Sequence, residues 1–245
     1  MNRYTFRLMP IFIALLLTGC SALNPDPLES LQRELSSYPE YTVTLNDYTQ
    51  EGNFFPSYYH QYKVVVGEEQ AGSDALAYRD EVQDFTQVSE GFYNRYEPYL
   101  GMAVLSKAPD DEVTTTPFPP GYQYVGDPQY GSWQQDGNGG QFWQFAGQYL
   151  LLSTIFNSLN GPPIYRDDWG GYTTARRSNR PYFGPGNRYG TTGTLTRQTN
   201  PTFFERQQTR QAASRQSFGN RVQNRVGRSN GSSTRGRSSF SSGGK

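Results

Sequence analysis

The chain has 245 residues, only 34% of them hydrophobic, and its 22 basic and 22 acidic side chains give no formal net charge. This length and apolar content allow one modest folded domain and exclude a large multidomain protein. With a single cysteine, the chain also cannot form an internal disulfide.

The first 19 residues are organised like a bacterial export signal. Arg3 and Arg7 supply positive charge, and an apolar stretch follows over residues 8–17. A helix that spans a bilayer needs about 20 apolar residues, so this stretch is too short to span but suits the centre of a signal peptide. We therefore expect residues 1–19 to direct export.

The segment that ends this stretch, Leu17-Thr18-Gly19-Cys20, resembles the lipobox of bacterial lipoproteins. The resemblance implies cleavage before Cys20, acylation of its sulfur by fatty acids such as palmitate, and a protein tethered to an envelope membrane by a linker over residues 20–27. If the cell is Gram-negative, the resemblance also implies the outer membrane, because Ser21 and not Asp follows the cysteine. The alternative is a free cysteine buried in the fold.

Residues 28–107 predict a small acidic α+β domain that begins with a short helix and a strand pair. Leu28, Leu31 and Leu35 share one helical face. Residues 40–49 and 57–69 then alternate between apolar and polar side chains, which favours two antiparallel strands.

The second half of this domain predicts one more strand and one more helix. Residues 73–80 read as a polar connection and residues 81–89 as a third strand. Ser89 is placed to cap a helix that carries Phe92, Tyr93 and Tyr96. The expected fold is a small antiparallel sheet with one or two helices, followed by an apolar helix and a largely disordered basic tail.

Residues 108–141 change in composition and are rich in proline, glycine and aromatic side chains. We interpret them as a linker or a hairpin, with a glycine-rich turn over residues 136–140. Trp133 and Trp143 lie on either side of that turn. If they are exposed, they could stack on sugar rings.

Residues 142–160 predict an apolar helix, because aromatic and leucine side chains recur every three or four positions. Three placements are open for this helix. It could pack in the core, lie on a membrane surface or associate with another helix, or span the bilayer; polar side chains interrupt the apolar run and disfavour the last.

Charge is strongly segregated along the chain. Residues 21–173 hold 6 basic and 21 acidic side chains, a net of −15, whereas residues 174–245 hold 14 basic and 1 acidic, a net of +13. We interpret residues 161–245 as a basic tail with one helix over residues 202–227. On this helix Phe218, Val222 and Val226 form one stripe, and Arg221, Arg225 and Arg228 form the neighbouring one.

Residues 174–245 contain 13 arginines and one lysine, and arginine binds phosphate and carboxylate groups with two parallel hydrogen bonds. An exported protein rarely meets nucleic acid, so no nucleic-acid partner is expected. Anionic lipid, lipopolysaccharide, acidic glycans and the acidic body itself are the nearer partners; a solvated tail with no dedicated partner is also open. The candidate binding residues are Arg206, Arg210, Arg215, Arg221, Arg225 and Arg228.

The sequence holds few groups suited to catalysis. His60 is the sole histidine, and it lies among tyrosines without a nucleophile motif nearby. We therefore predict no catalytic residues, metal ligands or cofactor.

The layout of the chain resembles that of envelope lipoproteins of enterobacteria. These proteins share a lipobox, an apolar segment that begins with Phe-Trp and an end rich in arginine, serine and glycine; the matching parts here are Cys20, Phe142-Trp143 and "TRGRSSFSSGG". The family has no known activity that the resemblance could carry over. The prediction is a non-enzymatic lipoprotein that contacts anionic surfaces, and the alternative is a peptidoglycan-binding module.

Overall fold

The computed structural model describes residues 26–230, except for 53–54, 73–74, 108–109, 111 and 156–162. The expected signal peptide, the lipidation residue Cys20 and the last part of the basic tail lie outside the described residues.

The described chain contains one main sheet, a separate hairpin and six α-helices. The strands of the sheet and hairpin are β1 (Glu40–Glu51), β2 (Ser57–Glu69), β3 (Leu76–Val82), β4 (Thr86–Val88), β5 (Ala103–Lys107), β6 (Val113–Thr114), β7 (Gly131–Gln135) and β8 (Gln141–Phe145). The helices are α1 (Pro27–Glu34), α2 (Glu90–Tyr96), α3 (Leu150–Ile155), α4 (Arg166–Arg177), α5 (Thr194–Thr199) and α6 (Pro201–Asn230).

The main sheet is antiparallel, with strand order β3-β2-β1-β5-β6 and with β4 paired to β2. Strands β7 and β8 form a separate hairpin. The fold is therefore a mixed α+β one, as the sequence predicted, although it has more helices than expected.

One face of the sheet carries the core that the sequence predicted. Tyr41, Val43 and Leu45 of β1 are at most 1% exposed on this face, beside Tyr62 and other side chains of β2. The buried leucines of α1 cover it, together with Phe92 and Tyr93 of α2. Ser89 caps α2 by accepting a hydrogen bond from the amide of Phe92 at 3.2 Å.

The other face carries a second core, which the sequence did not predict. Its buried aromatics come largely from the segment expected to be a linker, where Phe118, Tyr122, Tyr124 and Tyr130 are at most 4% exposed. The linker interpretation is therefore wrong for residues 117–130, whereas the predicted alternative, a hairpin with its turn over residues 136–140, is present as β7 and β8. These aromatics follow neither a helical nor a strand period, so periodicity could not identify them as core.

The basic tail is also ordered along much of its length. Ile164, Tyr172 and Leu195 are buried, the first two in the second core, and α4 and α5 lie in this part of the chain. The prediction of a largely disordered tail is thus wrong for residues 163–200. The predicted helix over residues 202–227 is confirmed, and it begins one residue earlier than expected, at Pro201, a favoured first helical residue.

Two boundaries near the apolar segments also differ from prediction. Residues 76–80, expected to be a connection, belong to β3. The helix predicted over residues 142–160 begins only at Leu150, because residues 141–145 pair with β7 as strand β8. The turn that directs this pairing is held by Asp136, whose carboxylate accepts hydrogen bonds from the amides of Asn138 and Gly140.

Candidate anionic-surface helix

Helix α6 is fixed to the body at its beginning by an aromatic anchor. Phe203 is 2% exposed and its ring meets that of Tyr48 edge-on, with 4.7 Å between the centroids. Phe204 contacts Phe203 at 5.0 Å, and the guanidinium of Arg197 lies 5.1 Å from the Phe204 ring. These contacts hold the first turn of the helix against β1 and α5.

Two of the six predicted arginines are also used in this attachment. A guanidinium nitrogen of Arg206 donates to both carboxylate oxygens of Asp47, at 2.6 and 2.5 Å. Arg210 donates to the hydroxyl of Thr49. Arg206 and Arg210 therefore contact β1 of the acidic body, which is one of the partners that the sequence left open for the tail.

The two contacts fix the direction of α6. Asp47 and Thr49 are two residues apart on β1, or about 7 Å, and Arg206 and Arg210 are four residues apart on α6, or about 6 Å. Because the first arginine meets the first β1 residue and the second meets the second, α6 runs alongside β1 toward the tip of the β1–β2 hairpin.

Beyond this attachment α6 is exposed on all sides. Residues 208–223 are all exposed apart from Gly219, which is half-buried. We call residues 211–230 the distal half of α6. Arg215, Arg221 and Arg225 are exposed in it, whereas the side chain of Arg228 lies outside the described residues.

The exposed arginines surround two exposed apolar side chains. Phe218 is 67% exposed and Val222 is 43% exposed, and their spacing of four places them on one helical face. At about 100° per residue, Arg215 lies on one side of this pair and Arg221 and Arg225 lie on the other. The sequence contains no carboxylate side chain after Glu205, so the distal half is a purely cationic helix with an apolar stripe.

Other arginines that follow residue 173 pair with carboxylates that precede it in the sequence. Arg176 of α4 contacts Glu112 at 2.5 Å, and Arg188 lies 3.9 Å from Asp168. Folding therefore brings together part of the charge that the sequence separates, and it leaves the distal half of α6 as an exposed cationic surface.

The tryptophans predicted to stack on sugars are covered by other side chains. Trp143 is 6% exposed and offers no ring face to a ligand. Trp133 is half-buried, with Trp143 at 5.2 Å, Trp169 at 5.8 Å and the guanidinium of Arg166 at 5.5 Å from its ring. The predicted pair of exposed stacking residues is therefore wrong, because hairpin β7–β8 turns Trp143 into the second core.

His60 is a core residue. It is fully buried, its Nδ1 lies 3.1 Å from the hydroxyl of Tyr62, and its Nε2 has no hydrogen-bond partner among the described residues. Burial lowers the pKa of His60 to about 4, so the imidazole is neutral near pH 7. Rings of Tyr48, Phe92 and Tyr93 pack around it.

The sequence did not single out Glu40, a buried carboxyl group of β1. It is 3% exposed and accepts hydrogen bonds from the hydroxyls of Tyr78, at 2.7 Å, and Tyr130. Burial raises the pKa of Glu40, and the two tyrosine hydroxyls partly counteract this by lowering it. A dissolved substrate does not reach this group, so its role is to join β1 to β3 and to the segment before β7. No sequence pattern indicated that Glu40 is buried, because its tyrosine partners lie 38 and 90 positions away in the chain.

A cavity of about 70 Å³ lies between the sheet and α5. Its lining is uncharged apart from Lys63, whose ammonium donates to the carbonyl of Ile155 at 2.8 Å and pairs with Asp80 at 3.0 Å. The Lys63 ammonium is thus paired with a carboxylate outside the cavity lining, and the lining itself contains no carboxylate or imidazole that could act as a general base.

In the part of the chain that the structure describes, no group of three or more His, Cys, Asp or Glu side chains is arranged to hold a metal ion. None of the helices in the described ranges combines the length and apolar composition that crossing a bilayer requires.

Within the distal half of α6, the described side chains of residues 211–223 and of Arg225 are exposed apart from Gly219, and their charged members are all cationic. Comparison of the chain with protein-family models, with curated proteins and with solved structures finds no match in any of the three.

Proposed function

We propose that this chain is a non-enzymatic, membrane-anchored lipoprotein of the cell envelope, and that the distal half of α6 binds an anionic surface there. One observation carries the proposal. A 30-residue helix is docked at its start, and its remaining turns present arginines and no carboxylate to solvent.

The physical state of this helix favours a binding role. Helices without tertiary packing are marginally stable in water, and Gly219 and Gly227 lower helix propensity further in the distal half. An anionic surface would neutralise the arginines and strengthen the helix. Binding of the protein to an anionic surface should therefore raise its helical content, which circular dichroism measures.

The anchor rests on the lipobox resemblance at Cys20. Labelled fatty acid should enter the wild-type protein in cells and should not enter the Cys20→Ala variant. Equal labelling of both would contradict lipidation at this residue.

Vesicle binding tests the role of α6. The full chain carrying Cys20→Ala is suited to this, because no acyl chain then adds to binding. Each arginine near an anionic membrane contributes about 1 kcal/mol, so Arg215→Gln, Arg221→Gln and Arg225→Gln together should weaken binding about 100-fold at low salt.

The matched control replaces two exposed arginines outside the site, Arg177→Gln and Arg180→Gln, and should bind like the parent. Binding of the parent should also fall with rising salt, because salt screens exposed charges. Equal binding of the parent to neutral and anionic vesicles would refute the proposed function.

A further inference from the structure

We infer that the partner of α6 is the surface of a lipid bilayer, not a soluble anionic polymer, and that Phe55, at the tip of the β1–β2 hairpin, enters the same bilayer beside Phe218 and Val222. This inference rests on the proposed function and adds a second lipid-contacting element, distant from α6 in the sequence.

Because α6 and β1 run in the same direction, Phe218 and the hairpin tip lie at similar distances beyond the contact between Arg210 and Thr49. Phe218 is eight residues beyond Arg210, about 12 Å along the helix. Gly52, where β1 has just ended, is three residues beyond Thr49, about 10 Å along the strand direction. The hairpin tip and Phe218 therefore project to similar distances from the same end of the body.

Both elements expose apolar side chains at this level. Phe55 is 92% exposed and Phe218 is 67% exposed, whereas most tyrosines and phenylalanines of the described body are buried or half-buried. A soluble polyanion needs only the arginines. A bilayer also accepts the aromatic rings, because its headgroup boundary places apolar depth directly beneath anionic charge.

The charges near these side chains fit an anionic bilayer. Arg215 and Arg225 flank the apolar stripe, and long arginine side chains can keep the guanidinium among headgroups while the stem lies on apolar surface. Glu51 is the exposed carboxylate next to the tip, and Arg210 binds Thr49 two residues before it, which places a cation close to that carboxylate.

The test compares Phe55→Ser and Phe218→Ser in the full chain carrying Cys20→Ala. Val113→Ser is the matched control. Val113 is 39% exposed and lies on β6. It pairs with Lys107 of β5, which in turn pairs with Tyr41 near the start of β1. Val113 is therefore at the end of β1 opposite the hairpin tip. All variants share the same leader, so differences between them report the substituted side chain.

Binding to vesicles of phosphatidylglycerol and phosphatidylcholine should weaken about fivefold for each phenylalanine variant, because serine removes the aromatic ring whose apolar surface would be partly buried in the bilayer. The Val113 variant should bind like the parent. Binding to soluble polyphosphate should be the same for all four proteins, because it needs only charge.

Two results would overturn the inference. One is a Phe55→Ser variant that binds vesicles as tightly as the parent does. The other is a parent protein that binds polyphosphate at least as tightly as vesicles of equal phosphate concentration. Either result leaves the proposed function intact if the triple variant of Arg215, Arg221 and Arg225 still binds vesicles more weakly than the parent. If that triple variant binds vesicles as tightly as the parent, the proposed function itself is refuted.

Discussion

A guanidinium nitrogen of Arg206 lies 2.6 Å from a carboxylate oxygen of Asp47, although 159 positions separate the two residues in the chain. Asp47 belongs to the acidic body and Arg206 to the basic C-terminal segment. The pair shows that the two charge blocks are partly joined in the folded protein, and it fixes where α6 leaves the body.

Breaking this pair should loosen the start of α6. The Asp47 side chain is 11% exposed, so Arg206→Gln leaves a nearly buried carboxylate without its cation. We expect a loss of about 1–2 kcal/mol in the stability of the docked helix, since Arg206 itself is partly solvated. Hydrogen exchange over residues 201–210 should accelerate about tenfold, whereas Arg215→Gln should leave this exchange unchanged. Unchanged exchange in Arg206→Gln would show that Phe203 is sufficient for docking.

His60 should make the protein sensitive to acid. Its pKa is about 4 in the folded chain, against an ordinary 6.5, so the unfolded chain binds a proton first as the pH falls. This contribution to stability is full above pH 6.5 and is lost between pH 6.5 and 4, up to about 3 kcal/mol. His60→Phe keeps a ring in the cluster and removes the titration. Its free energy of unfolding, measured by urea denaturation, should therefore fall less than that of wild type across this range. Parallel pH profiles would contradict the prediction.

Glu40 should act in the opposite direction. Its pKa is raised by burial, so the folded chain holds the proton to higher pH than the unfolded chain does. Its stabilising contribution is full below its ordinary pKa of 4.5 and is lost as the pH rises through the folded value. The difference in unfolding free energy, wild type minus Glu40→Gln, should thus decrease from pH 4.5 toward neutral. A difference that rises with pH would mean that the tyrosine hydroxyls dominate over burial.

Gly190 should be intolerant of substitution, because it lies in the ordered part of the basic segment. Its φ is +81°, and a Cβ there would lie 2.7 Å from the carbonyl oxygen of Pro98. Gly190→Ala should lower the free energy of unfolding by about 2–3 kcal/mol, from backbone strain and this contact together. Gly186 is the control. Its φ is +61° with no atom within 4 Å of the same position, so Gly186→Ala should cost about 1 kcal/mol. Equal losses in a chemical denaturation series would argue against close packing of residues 183–193 on Pro98.

The parts of the fold that the sequence predicted are those with a regular period. Leu28, Leu31 and Leu35 recur at helical spacing, and Tyr41, Val43 and Leu45 at strand spacing; all six are buried as expected. A regular element repeats its buried face at a fixed interval, so local pattern is sufficient to find it.

The second core escaped prediction because its side chains lack such a period. Tyr122, Tyr124, Tyr130 and Tyr172 come from turns, a short 3-10 helix and a distant α-helix, and they meet only after the chain folds across β1 and β2. Trp143 shows the same limit, since aromatic spacing in residues 142–159 matched a helix until the pairing of β8 with β7 decided otherwise.

For the candidate site, sequence by itself determined the composition: arginines without carboxylates after Glu205, and a stripe of Phe218 and Val222 at helical spacing. Tertiary structure decided which arginines are available. Asp47 and Thr49 hold Arg206 and Arg210, and they direct α6 toward the hairpin tip with Phe55. The physical reason is that composition and period are local properties, whereas ion pairing and exposure depend on which distant side chains occupy the same space.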